Sequence, residues 1–526
     1  MQLNIEDRFN KQLPADPETA NSRRQVTQAA FSSVRPRIPG KPQVLHVAPD
    51  VAEMIGLSID DIQSDEFRDV FSGAKLIEGS DPYAMCYGGH QFGNWAGQLG
   101  DGRAINLAEV CHNDQHWTLQ LKGAGETPYS RTADGLAVLR SSLREHLCSE
   151  AMFHLGVPTS RSLCLLTTGD SVVRDMMYDG NPRPEPGAVV CRVAPSFIRF
   201  GSFEIFAARN DLDTMRSLAD YTIKNFFPGI EAGTKSGYGD FFHTVCQRTL
   251  AMIVHWQRVG FVHGVMNTDN LSIHGDTIDY GPYGWLEGYD PEWTPNTTDR
   301  SHRRYRFGNQ PQIALWNLLQ LANALYPLIE EAEPFETALT GFQEGFEQKY
   351  TAMRASKIGL QDTQPGDDAL LASLEKALPL AETDMTIFFR SLANINKSDA
   401  VSDDGTDFLN PVLGAFYEPE KLTEETVEQW RDWFDAYTSR LQKSSQTDEV
   451  RRQQMNSVNP KYVLRNYMAQ IAIDAAEQGD NSIIAELYEL LRDPYAEQPD
   501  QETKWFAKRP DWARHKVGCS MLSCSS

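Results

Sequence analysis

The chain has 526 residues, 41% of them hydrophobic, and a formal net charge of −23 at pH 7. Its length exceeds what one compact core usually takes, so we expect two or three packed lobes, and its acidic balance argues against a nucleic-acid partner. No stretch approaches the roughly 18 uninterrupted apolar residues of a membrane-spanning helix, which excludes a membrane-spanning protein.

The first residues of the chain carry acidic side chains and no apolar segment. Glu6, Asp7, Asp16 and Glu18 all lie in this stretch. An apolar segment is required for a secretory signal, and a transit peptide is poor in acidic residues. We therefore expect a cytoplasmic protein with no membrane partner.

A glycine-rich segment at residues 97–103 reads GQLGDGR. Glycines at this density let backbone N–H groups approach a phosphate closely. The segment does not match the G-x-x-x-x-G-K-[ST] pattern, which excludes a Walker loop. On its own it is equally well explained as a hairpin turn.

The next predicted elements are a strand and a helix. Apolar and polar residues alternate over residues 117–122, which predicts a strand that ends with Lys122 pointing away from the apolar face. Leucine or alanine recurs every four residues from Leu139 to Leu155, which predicts a helix that stops at Gly156. Glu145 lies off this apolar stripe, so its expected place is a solvated face or an i,i+4 pair.

Two arginines, Arg192 and Arg199, occur in the otherwise apolar and aromatic stretch AVVCRVAPSFIRFGSFE. Burying an unpaired arginine is costly in free energy. We expect that each pairs with a carboxylate, or that both face a polyphosphate, for which bidentate guanidinium groups are well suited.

A second long helix is predicted over residues 241–259, ending at Gly260, and it is followed by FVHGVMNTDNLSIHGDTIDYG. The order helix, loop, hairpin and Asp-aromatic-Gly is the order in which a protein kinase builds its metal site. Asn270 and Asp279 are therefore the predicted ligands of Mg²⁺, or of Mn²⁺, since hard oxygen ligands suit such cations. The alternative is that Asn270 caps a helix and Asp279 forms a turn.

The catalytic aspartate of a kinase is missing from this stretch. In the kinase loop it stands five residues before the metal-binding asparagine, and here that position is Val265. Asp269 is the carboxylate near enough in sequence to act instead as a base that activates a hydroxyl.

The order of these motifs predicts an α+β protein with a protein-kinase-like bilobal fold and an extra helical C-terminal region. We divide the chain into an N-terminal extension (1–80), a kinase-like N-lobe with the glycine-rich loop (81–211), a helical C-lobe with the catalytic and metal loops (212–445), and a C-terminal helical region with a cysteine-containing tail (446–526). An amphipathic helix is predicted over residues 427–441.

The chain has eight cysteines and no C-x-x-C pair, so neither a zinc ribbon nor a dense disulfide framework is indicated. We expect most of them to be reduced core residues. Cys519 and Cys524 lie in the small, polar terminal sequence GCSMLSCSS, where we expect accessible thiols with a redox role or two idle thiols at a frayed end.

Five motifs taken together resemble the selenoprotein O family. They are YGGHQFGNWAGQLGDGRA (87–104), LKGAGETPYSRTADG (121–135), VLRSSLREHL (138–147), CRVAPSFIRFGSFE (191–204) and HGVMNTDNLSI (263–273). The similarity continues through IDYGPYGWLEGYDPEW and NQPQIALWNL to the terminal CSS, so it covers nearly the whole chain.

The resemblance implies a kinase-fold pseudokinase that binds ATP in a flipped orientation. Such an enzyme transfers AMP to Ser, Thr or Tyr hydroxyls of proteins and releases pyrophosphate. Its protein substrates are expected to include redox-linked proteins. Attack at the α-phosphorus expels pyrophosphate, whose charge a metal ion and arginines would stabilise.

Residue by residue, the resemblance assigns Asp269 as the proton acceptor, Asn270 and Asp279 as metal ligands, and Lys122 with Glu145 as an ion pair. It assigns nucleotide contacts to Gly100, Gly102, Arg103, Lys122, Asp134, Gly135, Arg192 and Arg199. The family's carboxyl-terminal selenocysteine or cysteine matches Cys524. In some relatives this residue pairs with a cysteine in the loop after the D-x-G segment, but that loop reads YDPEWTPNTTD here and contains no cysteine.

Two other functions stay open from the residues alone. A true phosphotransferase would use Asp269 as its base and attack the γ-phosphorus. A catalytically silent pseudokinase scaffold would explain the missing kinase aspartate, although the set Lys122, Glu145, Asn270 and Asp279 is more than a scaffold needs.

Overall fold

The computed structural model describes residues 1–399, 405–519 and 521–523. Over these residues the chain forms a mixed α/β structure in which most strands precede residue 195 and the remainder is mostly helical. In the same residues no helix is both long and apolar enough to cross a membrane.

The strands are β1 (Phe31–Ser33), β2 (Gln43–Val47), β3 (Tyr83–Met85), β4 (Gly88–Gln91), β5 (Asn94–Gln98), β6 (Ala104–His112), β7 (Gln115–Lys122), β8 (Ala137–Val138), β9 (Arg161–Arg174), β10 (Arg183–Ala194), β11 (Phe261–Val262) and β12 (Gly284–Trp285).

The α-helices are α1 (Phe9–Gln12), α2 (Pro49–Met54), α3 (Ile59–Ile62), α4 (Asp65–Phe71), α5 (Leu139–His154), α6 (Phe200–Ala208), α7 (Leu212–Phe226), α8 (Lys235–Val259), α9 (Gln310–Ile329), α10 (Glu333–Lys357), α11 (Asp367–Ala377), α12 (Met385–Leu392), α13 (Glu424–Gln442), α14 (Asp448–Val458), α15 (Asn466–Ala476), α16 (Ser482–Arg492) and α17 (Pro499–Trp505).

The main sheet has the strand order β1-β3-β6-β7-β10-β9-β2, with β8 paired to β10. Strands β1 and β2 come from the first 80 residues and occupy the two ends of this order. In the middle, Lys122 lies between Ala104 of β6 and Val190 of β10. The predicted strand is therefore confirmed and occupies a central position in the sheet.

The two long helices end where the sequence predicts. Helix α5 stops before Gly156 and α8 before Gly260, and both glycines adopt positive φ angles of 73° and 75° that glycine tolerates best. Helix α8 begins six residues before the predicted start, because the hydroxyl of Thr234 caps it by accepting a hydrogen bond of 3.0 Å from the Gly237 N–H.

Two apolar clusters account for the buried core of the described residues. The larger one joins the sheet to α5, α8, α9, α15 and α16. The second lies among α11, α12 and α13, where Trp430, Trp433 and Phe434 are buried. Helix α13 contains the predicted amphipathic stretch, which is thereby confirmed.

Candidate active site

A cleft of about 650 Å³ opens between the glycine-rich loop and the segment that follows β11. Most of the residues predicted for the site line it: Gly100, Gly102, Arg103, Lys122, Asp134, Gly135, Arg192, Asp269, Asn270 and Asp279. Glu145 and Arg199 lie directly behind this lining and are each 1% exposed.

The glycine-rich loop connects β5 to β6 and is fastened to the turn at residues 127–130. The Thr127 hydroxyl donates a hydrogen bond of 2.7 Å to the Asp101 carbonyl, and the Ser130 hydroxyl donates to the Gly102 carbonyl. Gly100 has a φ of +69°, and a Cβ there would lie 2.3 Å from the Tyr129 ring. The loop is therefore held in one shape that requires glycine at this position.

The turn carrying Asp134 and Gly135 also lines the cleft. The Asp134 carboxylate accepts hydrogen bonds from the Arg174 guanidinium at 2.8 Å and from the Leu136 N–H at 3.0 Å. A Cβ on Gly135 would lie 2.1 Å from the Gly125 carbonyl oxygen. Arg174 also lines the cleft, although no sequence motif marks it.

Lys122 and Glu145 form a buried ion pair, with 2.6 Å between Nζ and Oε2. Burial lowers the pKa of Lys122, and the Glu145 carboxylate opposes that change. The expectation that Glu145 occupies a solvated face is wrong. Helices α15 and α16 pack against α5, so that even residues off its apolar stripe are enclosed.

Both arginines pair with the carboxylate of Asp279. The Arg192 and Arg199 guanidinium groups each donate to it, at 2.5 Å in both cases. Arg192 also donates to Glu145 at 3.2 Å, and Arg199 lies over the Tyr87 ring at 4.4 Å. Of the two arrangements expected for these arginines, the structure therefore has the one in which each pairs with a carboxylate.

Asp279 lies at the centre of this network of charged side chains. Lys122 Nζ lies 3.8 Å from Asp279 Oδ1, so three cations surround the carboxylate. Burial by itself would raise the pKa of Asp279, but Arg199, Arg192 and Lys122 hold it well below its ordinary value. The residue has a φ of +58°, in the left-handed region that non-glycine residues rarely adopt, and such strain is typical of functional sites.

Asp269 lies in a 3₁₀ turn, Thr268–Asn270, at the floor of the cleft. Its Oδ2 accepts a hydrogen bond of 3.2 Å from Gln91 Nε2, whereas its Oδ1 is buried and has no hydrogen-bond partner among the described residues. Burial raises the pKa of Asp269 to about 7, against the opposing effects of Gln91 and Arg199. A carboxylate with this pKa is suited to accept a proton near neutral pH.

Asn270 follows directly and is oriented by its own loop. Its Nδ2 donates a hydrogen bond of 3.0 Å to the Val265 carbonyl, the position where a kinase would have its catalytic aspartate. The predicted hairpin after it is reduced to one bridge between Leu271 and Thr277. The segment still brings Asp269, Asn270 and Asp279 to one cleft.

Two further residues that contact the site were not foreseen. Gln91 and Phe92 belong to the β4–β5 hairpin, and the Phe92 N–H donates a hydrogen bond of 3.1 Å to Oδ1 of Asn267, two residues before Asp269. Gln91 and Asp269 are 178 positions apart in sequence. No local pattern connects residues so far apart, so only the three-dimensional structure brings them together.

Cys519 does not have the accessible thiol expected for it. The residue is 3% exposed, and burial raises the pKa of its thiol to about 11. Its carbonyl accepts a hydrogen bond of 2.7 Å from Asn466 Nδ2, and nearby the Leu522 carbonyl accepts one of 2.7 Å from the Thr297 N–H. These pairings hold the segment against the protein. Cys524 lies outside the described residues.

Comparison with known proteins gives a consistent result over the whole chain. The family model described as "Protein adenylyltransferase SelO" matches residues 19–492. A protein nucleotidyltransferase YdiU from Flavobacterium johnsoniae is 59% identical over 524 residues, covering 100% of this chain and 99% of that protein. Proteins of the same name from Rhodopirellula baltica and Azoarcus sp. strain BH72 are 56% and 54% identical, each with 100% of this chain and 99% of the relative covered. The chain therefore belongs to the SelO family.

Proposed function

We propose that the protein is a nucleotidyltransferase that transfers AMP from ATP to Ser, Thr or Tyr hydroxyls of proteins and releases pyrophosphate. The observation that carries this proposal is the convergence of Lys122, Arg192 and Asp279 with Asp269 in one cleft. Membership of a family described as protein adenylyltransferases supports it.

The fold we propose is kinase-like and bilobal, with residues 81–211 as the N-lobe and residues 212–445 as the C-lobe. A strand lysine paired to a helix glutamate, followed by an asparagine and an aspartate beside the same cleft, supports this fold. Residues 1–80 and 446–526 would then be additions to the two lobes.

The charge balance of the cleft supports a polyphosphate ligand. Lys122, Arg192 and Arg199 pair with the carboxylates of Glu145, Asp279 and Asp101, whereas Arg103, which also lines the cleft, has no carboxylate within 4.0 Å among the described residues and keeps its positive charge for a ligand. We propose that these cations and Arg103 bind the phosphates. Gly100 and Gly102 of the glycine-rich loop, and Asp134 and Gly135 of the turn that also lines the cleft, would contact the rest of the nucleotide.

Asn270 and Asp279 fit a hard divalent cation, Mg²⁺ or Mn²⁺. Carboxylate and amide oxygens are the ligands such cations prefer. The Asn270 amide nitrogen is committed to the Val265 carbonyl, which leaves the amide oxygen to act as a ligand. When bound, the metal would supply positive charge to the phosphates of ATP.

In the reaction we propose, Asp269 takes the proton of the acceptor hydroxyl. The hydroxyl oxygen forms a bond to the α-phosphorus, and the bond from this phosphorus to the oxygen that bridges to the β-phosphate breaks. Pyrophosphate leaves, and Lys122 and Arg192 stabilise its charge.

The proposal is tested by incubating the protein and a generic protein acceptor with Mg²⁺ and ATP labelled on either the α- or the γ-phosphate. We expect protein-bound label from the α-position only, together with pyrophosphate. Label from the γ-position would identify a kinase, and label from neither position would favour a pseudokinase scaffold.

Site variants complete the test. Lys122→Ala and Asp279→Ala should abolish label transfer, whereas Lys349→Ala, at an exposed position of α10, should leave it unchanged. Activity retained in both site variants would contradict the assignment of these residues.

We further propose that the enzyme acts in the cytoplasm and that its targets include redox-linked proteins. The resemblance to the selenoprotein O family supports the second of these proposals. Identification of the proteins labelled by α-labelled ATP in a cell extract, by mass spectrometry, tests the second one.

A further inference from the structure

A strongly basic segment interrupts this acidic protein. Residues 300–306 read RSHRRYR, with four arginines in seven positions of a chain whose net charge is −23. We call the side chains of Arg300, His302, Arg303 and Arg304 the basic patch. The first three are exposed and Arg304 is half-buried.

The basic patch forms no ion pair with a neighbouring acid among the described residues, and Asp299 interacts with its Arg304 and His302 only at longer range. In the described part of the chain none of its side chains has a carboxylate within 4.0 Å, although Arg306 beside it pairs with Glu292 at 3.0 Å. The adjacent Asp299 carboxylate accepts hydrogen bonds from the backbone N–H groups of Arg304 and Tyr305, at 3.0 and 2.7 Å. Asp299 thus fixes the backbone of the segment.

The segment is anchored beside the catalytic base. The Tyr305 hydroxyl donates a hydrogen bond of 2.5 Å to Asn267 Oδ1, two residues before Asp269. The same hydroxyl accepts one of 3.0 Å from the Phe92 N–H, in the hairpin that carries Gln91. Arg304 lies against this hairpin, since a Cβ on Gly93 would be 3.3 Å from its Cζ.

The basic patch is also separate from the groups that we assign to the nucleotide. Its residues are not among those that line the cleft, whereas Asn267 and Phe92, to which the segment is anchored, are. The patch is therefore carried by a segment that is hydrogen-bonded to two residues of the cleft lining, Asn267 and Phe92.

We infer that the basic patch is a docking surface for an acidic segment of the substrate protein, next to the hydroxyl that receives AMP. This inference rests on the proposed function and adds a property of its substrates. The net charge of −23 repels acidic partners from the rest of the surface. A concentrated basic surface beside the base attracts them and orients them at the cleft.

The test measures binding of two short rhodamine-labelled peptides by fluorescence anisotropy. One has a serine flanked by glutamates, and the other has glutamine at each of those positions. We expect the glutamate peptide to bind about tenfold more tightly at low ionic strength, as two or three exposed ion pairs would give, and the difference to shrink as salt is added.

The variant Arg300→Glu/Arg303→Glu should lose this preference. The control Lys349→Glu/Lys376→Glu makes the same change of charge at exposed positions of α10 and α11 and should keep it. Equal binding of the two peptides to the unaltered protein, or a preference that survives in the patch variant, overturns the inference. Tighter, patch-dependent binding of a single-stranded oligonucleotide would also overturn it by assigning the patch to nucleic acid.

Label transfer separates this inference from the proposed function. With α-labelled ATP and the glutamate peptide, the patch variant should raise KM for the peptide about tenfold and leave kcat unchanged. Patch-dependent binding without any transfer of α-label would contradict the proposed function alone. Transfer with equal KM values in the patch variant and the unaltered protein would contradict the docking surface alone.

Discussion

At the scale of single residues, the environment of Asp269 makes a prediction about pH. Burial raises its pKa to about 7, and only the ionised carboxylate can accept a proton. We expect kcat/KM for AMP transfer to rise with pH, with an apparent pKa near 7, and to level off above it. Asp269→Asn should remove this dependence and lower the rate about 10²- to 10⁴-fold.

Gln91 should set the position of that pH dependence. Its hydrogen bond to Asp269 Oδ2 favours the ionised form and so lowers the pKa. Gln91→Leu removes the bond, so we expect the rising limb of the pH profile to move to higher pH while the plateau is kept. A limb that stays in place would show that Gln91 does not act on Asp269.

The charge network around Asp279 predicts a ranking of stabilities. Asp279→Ala leaves Arg192 and Arg199 without their shared carboxylate, and loss of one partner from a buried pair costs about 3–5 kcal/mol. Lys122→Ala should lower the free energy of unfolding by less, because Glu145 keeps its pairing to Arg192. The thermal unfolding midpoints of the two variants measure this ranking. A lower midpoint for Lys122→Ala than for Asp279→Ala would contradict the network.

Most of the individual site residues could be selected from the sequence, because local motifs mark them. Lys122 ends an alternating strand, and Asn270 and Asp279 stand in a kinase-like order. The burial of Glu145 could not be read in the same way, since it depends on helices that occur more than 300 positions later. The same limit applies to Gln91, whose partner lies across the cleft.

At the scale of elements, the glycine-rich loop offers a matched pair of substitutions. Gly100 and Gly97 both have positive φ angles, of 69° and 74°, but only at Gly100 would a Cβ meet another group, the Tyr129 ring. Gly97→Ala should raise the conformational free energy of the loop by about 1 kcal/mol. This cost limits any rise in KM for ATP to about fivefold. Gly100→Ala must also displace the ring, so we expect a larger rise in KM. Similar KM values for the two variants would contradict a close-packed loop.

The sequence predicts an element well when a local signal marks its end. Strand β7, helix α5 and the end of α8 agree with the predictions because alternation, apolar spacing and terminal glycines all act locally. The predicted start of α8 lies six residues too late. Gly237 and Gly239 interrupt the helical pattern of the sequence there, although the Thr234 cap stabilises a helix that begins before them.

At the scale of the whole molecule, the C-terminal region braces the helix that carries Glu145. Arg144 of α5 donates a hydrogen bond of 3.2 Å to Asn466 Oδ1, and it also donates one of 2.8 Å to the Tyr283 carbonyl, which follows Asp279. Asn466→Ala should cost about 1–3 kcal/mol by leaving buried groups unpaired. We expect faster amide hydrogen exchange in α5, with α13 as the unaffected internal control. Equal exchange in α5 would show that the brace is not needed.

The overall arrangement was only partly predictable. The division into a sheet-rich first part and a helical second part follows from the order of the motifs, and the structure agrees with it. The positions of β1 and β2 at the two ends of the main sheet do not follow from the order of the motifs. Strand pairing over such distances leaves no pattern in the sequence.

The hydrogen bond between Arg144 and Asn466 can form only late in the synthesis of the protein. The two residues are 322 positions apart. A ribosome that adds about 5–20 residues per second needs roughly 15 to 65 s to make the intervening chain. Throughout that time α5 lacks this hydrogen bond to the C-terminal region. The enclosure of α5 is therefore completed only after α15 and α16 have been made.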